Sequence, residues 1–183
     1  MSLENESMNR NLILGEEVED SSVKNLIQKI VDINYDDDIK QERFTDFERK
    51  PIKLYINTNG GSVLCGFGLI GVIQNSKTPI YTICTGKALS MGLPILVSGH
   101  KRFAYKYSTM MYHEISGFMY DKMEGIKQEL GEAKREQIML DNIILDNTNI
   151  LQEKLDQVKE LKKEWYISAD EALKLGIIDK IIK

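Results

Sequence analysis

A chain of 183 residues is the size of one ordinary domain, which argues against separate cofactor and substrate modules. Its 42% hydrophobic and 28% charged residues, with only 3 prolines, are those of a globular protein rather than a disordered or collagenous one. With 24 basic against 28 acidic residues the formal charge is −4, and no basic cluster is long enough to follow a phosphate backbone, so neither nucleic acid nor an anionic membrane surface is expected as a partner.

Residues 1–9 form a polar arm without the apolar stretch of a secretory signal, and no apolar run is long enough to cross a bilayer, so the expectation is a cytoplasmic protein. Residues 11–15 (NLILG) predict a short strand closed by glycine. Ser21 or Ser22 then caps a helix whose face is Val23, Leu26, Ile27, Ile30 and Val31. From Asp32 to Lys50 charged residues dominate, and the segment reads as an exposed loop. Its triple aspartate lacks the alternating donors, turn glycine and distal glutamate of a calcium loop, so it reads as a solvated charge run.

Pro51 introduces the alternating strand 52–56, the turn 57–62 (NTNGGS) and a helical pattern through Gly66, Leu69, Ile70 and Ile73. The unit then repeats: a strand over 79–84, the small-residue turn 86–92 (GKALSMG) and a short apolar helix ending near Gly99. Two more strands follow, over 102–105 and 109–113. Between Met123 and Val158 an apolar stripe at helical period predicts a long amphipathic helix, with an interruption at residues 147–149 where asparagine takes the left-handed turn. One small domain cannot bury so long a stripe, so part of it is expected to meet another subunit. Ser168 and Glu171 make a capping box, Gly176 stops that helix, and Ile177, Ile178, Ile181 and Ile182 supply a terminal strand. Strands alternating with helices give an α/β fold.

Cys65 and Cys84 sit in apolar runs with no CxxC or Cys/His spacing, so both read as core residues, and neither a disulfide framework nor a metal site is expected. No cofactor motif is present either: GGS lacks the GxGxxG pattern and the lysine of a phosphate loop. The chemistry to weigh is nucleophilic. A serine hydroxyl becomes a nucleophile when an imidazole accepts its proton and fixed donors await the oxyanion. Ser90, one of 2 histidines, and the N–H groups of Gly61 and Met91 supply those parts, although a serine beside glycines is commonly only a helix cap. His100, beside Lys101 and Arg102, suits a solvated surface role, which leaves His113 at the end of an apolar strand.

Stretches in the same order carry a resemblance: residues 10–15 (RNLILG) with 18–20 (VED), 54–63 (LYINTNGGSV), 82–92 (TICTGKALSMG), 101–104 (KRFA), 110–113 (MMYH), and 168–172 (SADEA) with 176–179 (GIID). Over residues 10–183 the chain resembles the proteolytic subunit of the Clp protease, the ClpP family of serine peptidases. The resemblance implies a single domain of ClpP/crotonase-like fold, built of repeated ββα units with a long handle helix inside a handle region over 114–158. It places the nucleophile on Ser90, the general base on His113 and the oxyanion-hole amides on Gly61 and Met91. It also implies peptide or unfolded protein as substrate and homo-oligomeric, heptameric rings stacked in pairs. An AAA+ unfoldase is the family's usual partner, met through a longer N-terminal segment than residues 1–9, which counts against that partner here.

The third catalytic residue departs from the pattern. Counting back from Ser168 puts the family's aspartate on Glu160, or on Leu161 after a one-residue shift, with Asp156 and Glu164 as the other carboxylates at hand. Lys163-Glu164 stands where the family often carries an Arg-Asp pair at the ring interface. Because the acid is replaced, a catalytically silent structural subunit is the competing reading. A crotonase-type acyl-CoA enzyme sharing the terminal SAxEAxxxGIID pattern is a third, and a Ser-Lys mechanism through Lys87 a variant of the first.

Overall fold

The computed structural model describes residues 9–117, Tyr120 and residues 122–183; most of the N-terminal arm, and residues 118, 119 and 121 of the handle, lie outside the described residues. The chain order is β1 (Asn11–Leu14), α1 (Asp20–Arg43), β2 (Ile52–Thr58), α2 (Val63–Gln74), β3 (Ile80–Leu89), α3 (Gly92–Val97), β4 (Lys101–Tyr105), β5 (Thr109–Tyr112), α4 (Met123–Asn147), α5 (Gln152–Glu160), β6 (Trp165–Ser168), α6 (Ala169–Lys174) and β7 (Lys180–Ile182). This is the mixed α/β architecture expected of the ClpP fold. The strands make one sheet in the order β1-β2-β3-β4-β7, parallel throughout, with β5 added beside β3 and β6 antiparallel to β5.

Alternation decides which face is covered. In β2 the side chains of Ile52, Leu54, Ile56 and Thr58 are buried beneath the helices, while Lys53 and Asn57 face outward. β3 is the longest strand and serves two neighbours. Residues Tyr81 to Cys84 pair with β4, whereas Lys87 to Leu89 pair with β5. The strand thereby carries the chain after Leu89 to the end of β5, where the site is built.

The charged run after residue 32 is helix, not loop. Helix α1 extends to Arg43, and its buried positions Val23, Leu26, Ile30, Ile33 and Asp37 recur at three- and four-residue intervals. The inward stripe therefore continues beyond Val31, with an aspartate at its last position. That aspartate is satisfied. Arg10 Nη1 donates to Asp37 Oδ2 at 2.9 Å and Thr78 Oγ1 donates to the same oxygen at 2.7 Å, while Arg10 also reaches Oδ1. Beside it, Asp36 accepts from Lys40 at 2.6 Å, and Asp38 pairs with Arg49 and Lys77. Counting only apolar residues ended the helix about three turns too soon. The cap also differs from expectation: Glu19 is the N-cap, and its N–H donates to Ser22 Oγ at 3.1 Å.

The handle breaks where expected but by another device. Thr148 is extended (φ −139), and the last carbonyls of α4 are met by side chains: Asn147 Nδ2 donates to Ile143 O and Thr148 Oγ1 to Ile144 O, both at 2.7 Å. A left-handed residue ends α6 instead, at Gly176 (φ +68). Arg102 ties the two ends together, donating from Nη1 to Asn147 O and, at 2.8 Å, to Gly176 O. Within α4 only Leu140, Asp141 and Ile144 are buried, whereas Met123, Leu130 and Ile138 are 71%, 46% and 60% exposed. One chain leaves most of the stripe uncovered. Among the described residues no helix is long and apolar enough to cross a membrane.

Candidate active site

Two strand-to-helix turns converge. After β2, Gly60 and Gly61 adopt φ +99 and +143, conformations that glycine reaches without steric cost. Their backbone is clasped by the segment before α1: Val18 N donates to Gly60 O at 2.8 Å, and Ser62 N donates to Val18 O at 2.7 Å. A Cβ on Gly61 would lie 2.4 Å from Val18 O, so no other residue fits. The Gly60 amide is engaged by Thr58 Oγ1 at 3.0 Å.

After β3, Ser90 takes φ +50, a left-handed conformation that costs a non-glycine residue on the order of 1 kcal/mol or more. The surroundings impose it. Ser90 N donates to Met111 O at 2.9 Å, continuing the pairing with β5, while Ser90 O already accepts from Leu93 N at 3.0 Å in the first turn of α3. Met91 is buried against Gly66, where a Cβ would fall 2.4 Å from its methyl carbon, and a Cβ on Gly92 would meet Thr58 Cγ2 at 2.8 Å. The bend thus lifts the Ser90 side chain away from the strand while fixing the amides on either side.

His113 directly follows β5, and its Nε2 lies 2.8 Å from Ser90 Oγ. The structure therefore brings together the serine and the histidine singled out in the sequence. They open onto a cavity of about 230 Å3 whose lining includes Gly61, Met91, Met111, Tyr112 and Leu140. The Gly60 and Ser90 amides are engaged elsewhere, and Gly61 and Met91 line the same cavity as Ser90. Lys87 is not the hydroxyl's partner among the described residues. His100 is exposed, and its Nδ1 accepts from Ile80 N at 3.1 Å.

The carboxylates are arranged differently. Among the described residues none makes a hydrogen bond or ion pair with His113. Asp156 accepts from Gln152 at 2.8 Å and pairs with Lys159 at 3.0 Å, and Glu160 closes α5. Glu164 immediately precedes β6. Tyr112 and Trp165 are the last pair of the antiparallel ladder, and its register continued by one residue would set His113 opposite Glu164. Directly opposed residues share a face of the sheet. Glu164 Oε2 accepts from Tyr166 Oη at 2.6 Å, and Tyr166 is itself opposite Met111, the neighbour of His113 on that face. Lys162, at φ +49, turns the chain just before this point.

One cluster near the site had no signal in the sequence reading. Asp141, buried in α4, accepts from Tyr112 Oη at 2.6 Å, from Gln137 Nε2 at 2.8 Å and from Lys159 Nζ at 2.6 Å. Burial, then the hydrogen bond to the Asp141 carboxylate, push the Tyr112 phenol far above its ordinary value, so it stays a donor. A lone aspartate in an amphipathic stripe gives no motif; only contact with the residue before His113 marks it. Of the cysteines, Cys84 is buried, its thiol raised to about 11 chiefly by burial, whereas Cys65 is half-buried, packs against the edge of the core and donates to Asp20 at 3.2 Å.

The family model described as Clp protease matches residues 3–183. The chain belongs to the Clp protease family. It is similar to the ATP-dependent Clp protease proteolytic subunit 3 of Synechococcus sp. (strain CC9902), 34% identical over 176 residues that cover 94% of this chain and 82% of the relative. Subunit 2 of Prochlorococcus marinus (strain MIT 9312) is likewise 34% identical, covering 94% of this chain and 81% of its own. Subunit 3 of Parasynechococcus marenigrum (strain WH8102) is 33% identical with 94% and 82% covered. Membership of the Clp protease family makes the chain a ClpP-like serine peptidase, and the acyl-CoA reading of its C-terminal pattern falls away.

Proposed function

We propose that Ser90, His113 and the Gly61 and Met91 amides carry out peptide-bond hydrolysis through an acyl-enzyme. The 2.8 Å approach of His113 Nε2 to Ser90 Oγ is the observation that carries this reading. With the proton on Nδ1, Nε2 accepts the hydroxyl proton as Oγ bonds to the peptide carbonyl carbon. The two amides receive the resulting oxyanion, and the imidazolium returns its proton to the amine as the C–N bond breaks. Water, deprotonated by the same nitrogen, then hydrolyses the serine ester.

Glu164 is the carboxylate we assign to back the imidazole, in preference to Glu160 and Asp156. The strand register supports it, and its side chain is one methylene longer than the family's aspartate. Its Oε2 accepts from Tyr166 Oη at 2.6 Å, a bond it would give up to serve the imidazole.

Copies of this chain, in our reading, join through α4 into heptameric rings stacked in pairs, whose enclosed sites admit short or unfolded chains. The exposed stripe of α4 supports this. The relatives are named ATP-dependent, and coupling to an ATPase unfoldase is proposed here on that basis. Two free thiols fit a reducing cytoplasm.

A fluorophosphonate probe tests the site. Assembled wild-type protein should be labelled on Ser90 and should cleave unstructured peptides, whereas Ser90→Ala should do neither. Wild-type protein that cleaves no faster than Ser90→Ala would identify a silent scaffold and overturn the assignment.

A further inference from the structure

The catalytic histidine is bracketed by hydrogen bonds that come from another element. Immediately before it, Tyr112 Oη donates to Asp141 Oδ1 at 2.6 Å and accepts from Gln137 Nε2 at 3.2 Å. Two residues after it, Ile115 N donates to Gln137 Oε1 at 2.7 Å. Gln137 thus holds the chain on both sides of His113. It is itself fixed, because its Nε2 also donates to Asp141 Oδ1 at 2.8 Å, one turn further along α4. Asp141 is anchored in turn by Lys159 of α5, which bonds Oδ2 at 2.6 Å. Leu140, between the two polar residues, lines the same cavity as Ser90 and His113.

We propose that Gln137 and Asp141 of α4 are positioning residues for catalysis, clamping the Tyr112-to-Ile115 segment so that His113 Nε2 stays within hydrogen-bond reach of Ser90 Oγ. The inference rests on the peptidase reading above. Neither residue touches the hydroxyl, and neither is needed to build the strand: the β5 ladder to β6 already fixes Tyr112 through its backbone. What that ladder does not fix is the chain beyond Tyr112, where β5 ends and His113 has no strand partner within an element. The amide of Gln137 supplies the missing restraint from the opposite side. It suits all three contacts at once, offering an acceptor to Ile115 N and donors to Tyr112 and Asp141. Displacement of a reacting group by about 1 Å can cost on the order of a hundredfold in rate, so a clamp of this kind acts on the chemical step rather than on substrate affinity.

Tyr112→Phe and Gln137→Met test the clamp, since each keeps the bulk and removes the bonds. In variants that retain the wild-type oligomer size, kcat for an unstructured peptide and the rate of fluorophosphonate labelling at Ser90 should each fall about tenfold, with KM within about twofold of wild type. Because both act through one clamp, the double variant should be little worse than the worse single one. Single variants with wild-type kcat, a loss confined to KM, or losses that multiply in the double variant would overturn the proposal. An inactive, unlabelled wild type is distinguishable from these results: it sinks the peptidase reading and the clamp with it.

Discussion

Gly60 and Ser90 approach so closely that a Cβ placed on the glycine would lie 2.7 Å from that of the serine, with Leu89 O and Met91 N also within 3 Å. The turn after β2 and the turn after β3 are one packed object. Gly60→Ala should therefore act twice, through strain at φ +99 of about 1–3 kcal/mol and through displacement of the Ser90 bend. Peptide hydrolysis should fall about a hundredfold or more in kcat/KM, and thermal stability should drop. Gly71→Ala is the control. Nothing lies within 4 Å of a Cβ at that position in α2, so activity should be kept and stability should hold or rise by up to about 1 kcal/mol.

The register of β5 against β6 separates the candidate carboxylates. Glu164→Gln removes the charge that would orient and stabilise the protonated imidazole, and kcat should fall by about two to four orders of magnitude. Glu160→Gln should leave kcat within about twofold of wild type. A steady-state comparison of the two variants at neutral pH checks this, and the reverse ranking would return the role to Glu160.

Why the sequence pointed to some of this and not the rest follows from what each signal contains. Glycines at Gly60, Gly61 and Gly92 and the buried Met91 mark the turns because only particular residues fit positive φ or close backbone approach. Ser90 and His113 could be named because few residue types perform their chemistry. The C-terminal half of α1 was hidden because its stripe ends on Asp37, an aspartate whose burial depends on Arg10 and Thr78, distant in sequence. Gln137 and Asp141 were hidden for the same reason, since their partners lie on β5, α5 and the segment after His113. The preference for Glu164 over Glu160 as the acid rests on the β5–β6 register, a relation between distant segments that counting back along a helix does not contain.

Asp37 should govern acid stability. Burial opposes its ionisation, but hydrogen bonds from Arg10 and Thr78, with the charges of Arg10 and Arg49, outweigh burial and hold its carboxyl below the usual carboxylate range. A carboxyl depressed on folding contributes stability in full above its unfolded value of about 3.9 and loses it as pH falls through the folded value. Asp37→Asn leaves the Arg10 guanidinium without its counter-charge and should cost about 3 kcal/mol at pH 7. Urea unfolding of wild type and variant at pH 7, 5 and 3 should show that gap narrowing only at the acid end. A gap independent of pH would mean that shape, not charge, is what Asp37 supplies.

The outward stripe of α4 offers the last prediction. Met123, Leu130 and Ile138 recur at intervals of about two helical turns, so they lie along one face, and they are 71%, 46% and 60% exposed in a single chain. An apolar row so placed gains nothing for the isolated subunit and is what a second copy would cover. Ile138→Asp should therefore change monomer stability by no more than about 0.5 kcal/mol, because it removes no buried contact there. Its effect should fall on assembly, since a carboxylate desolvated at the centre of an interface without a partner opposes association. Light scattering coupled to size exclusion should show the wild type as a ring-sized particle and the variant as a smaller species. If the variant elutes with the wild-type mass, α4 is not the contact between subunits, and the exposed stripe needs another occupant.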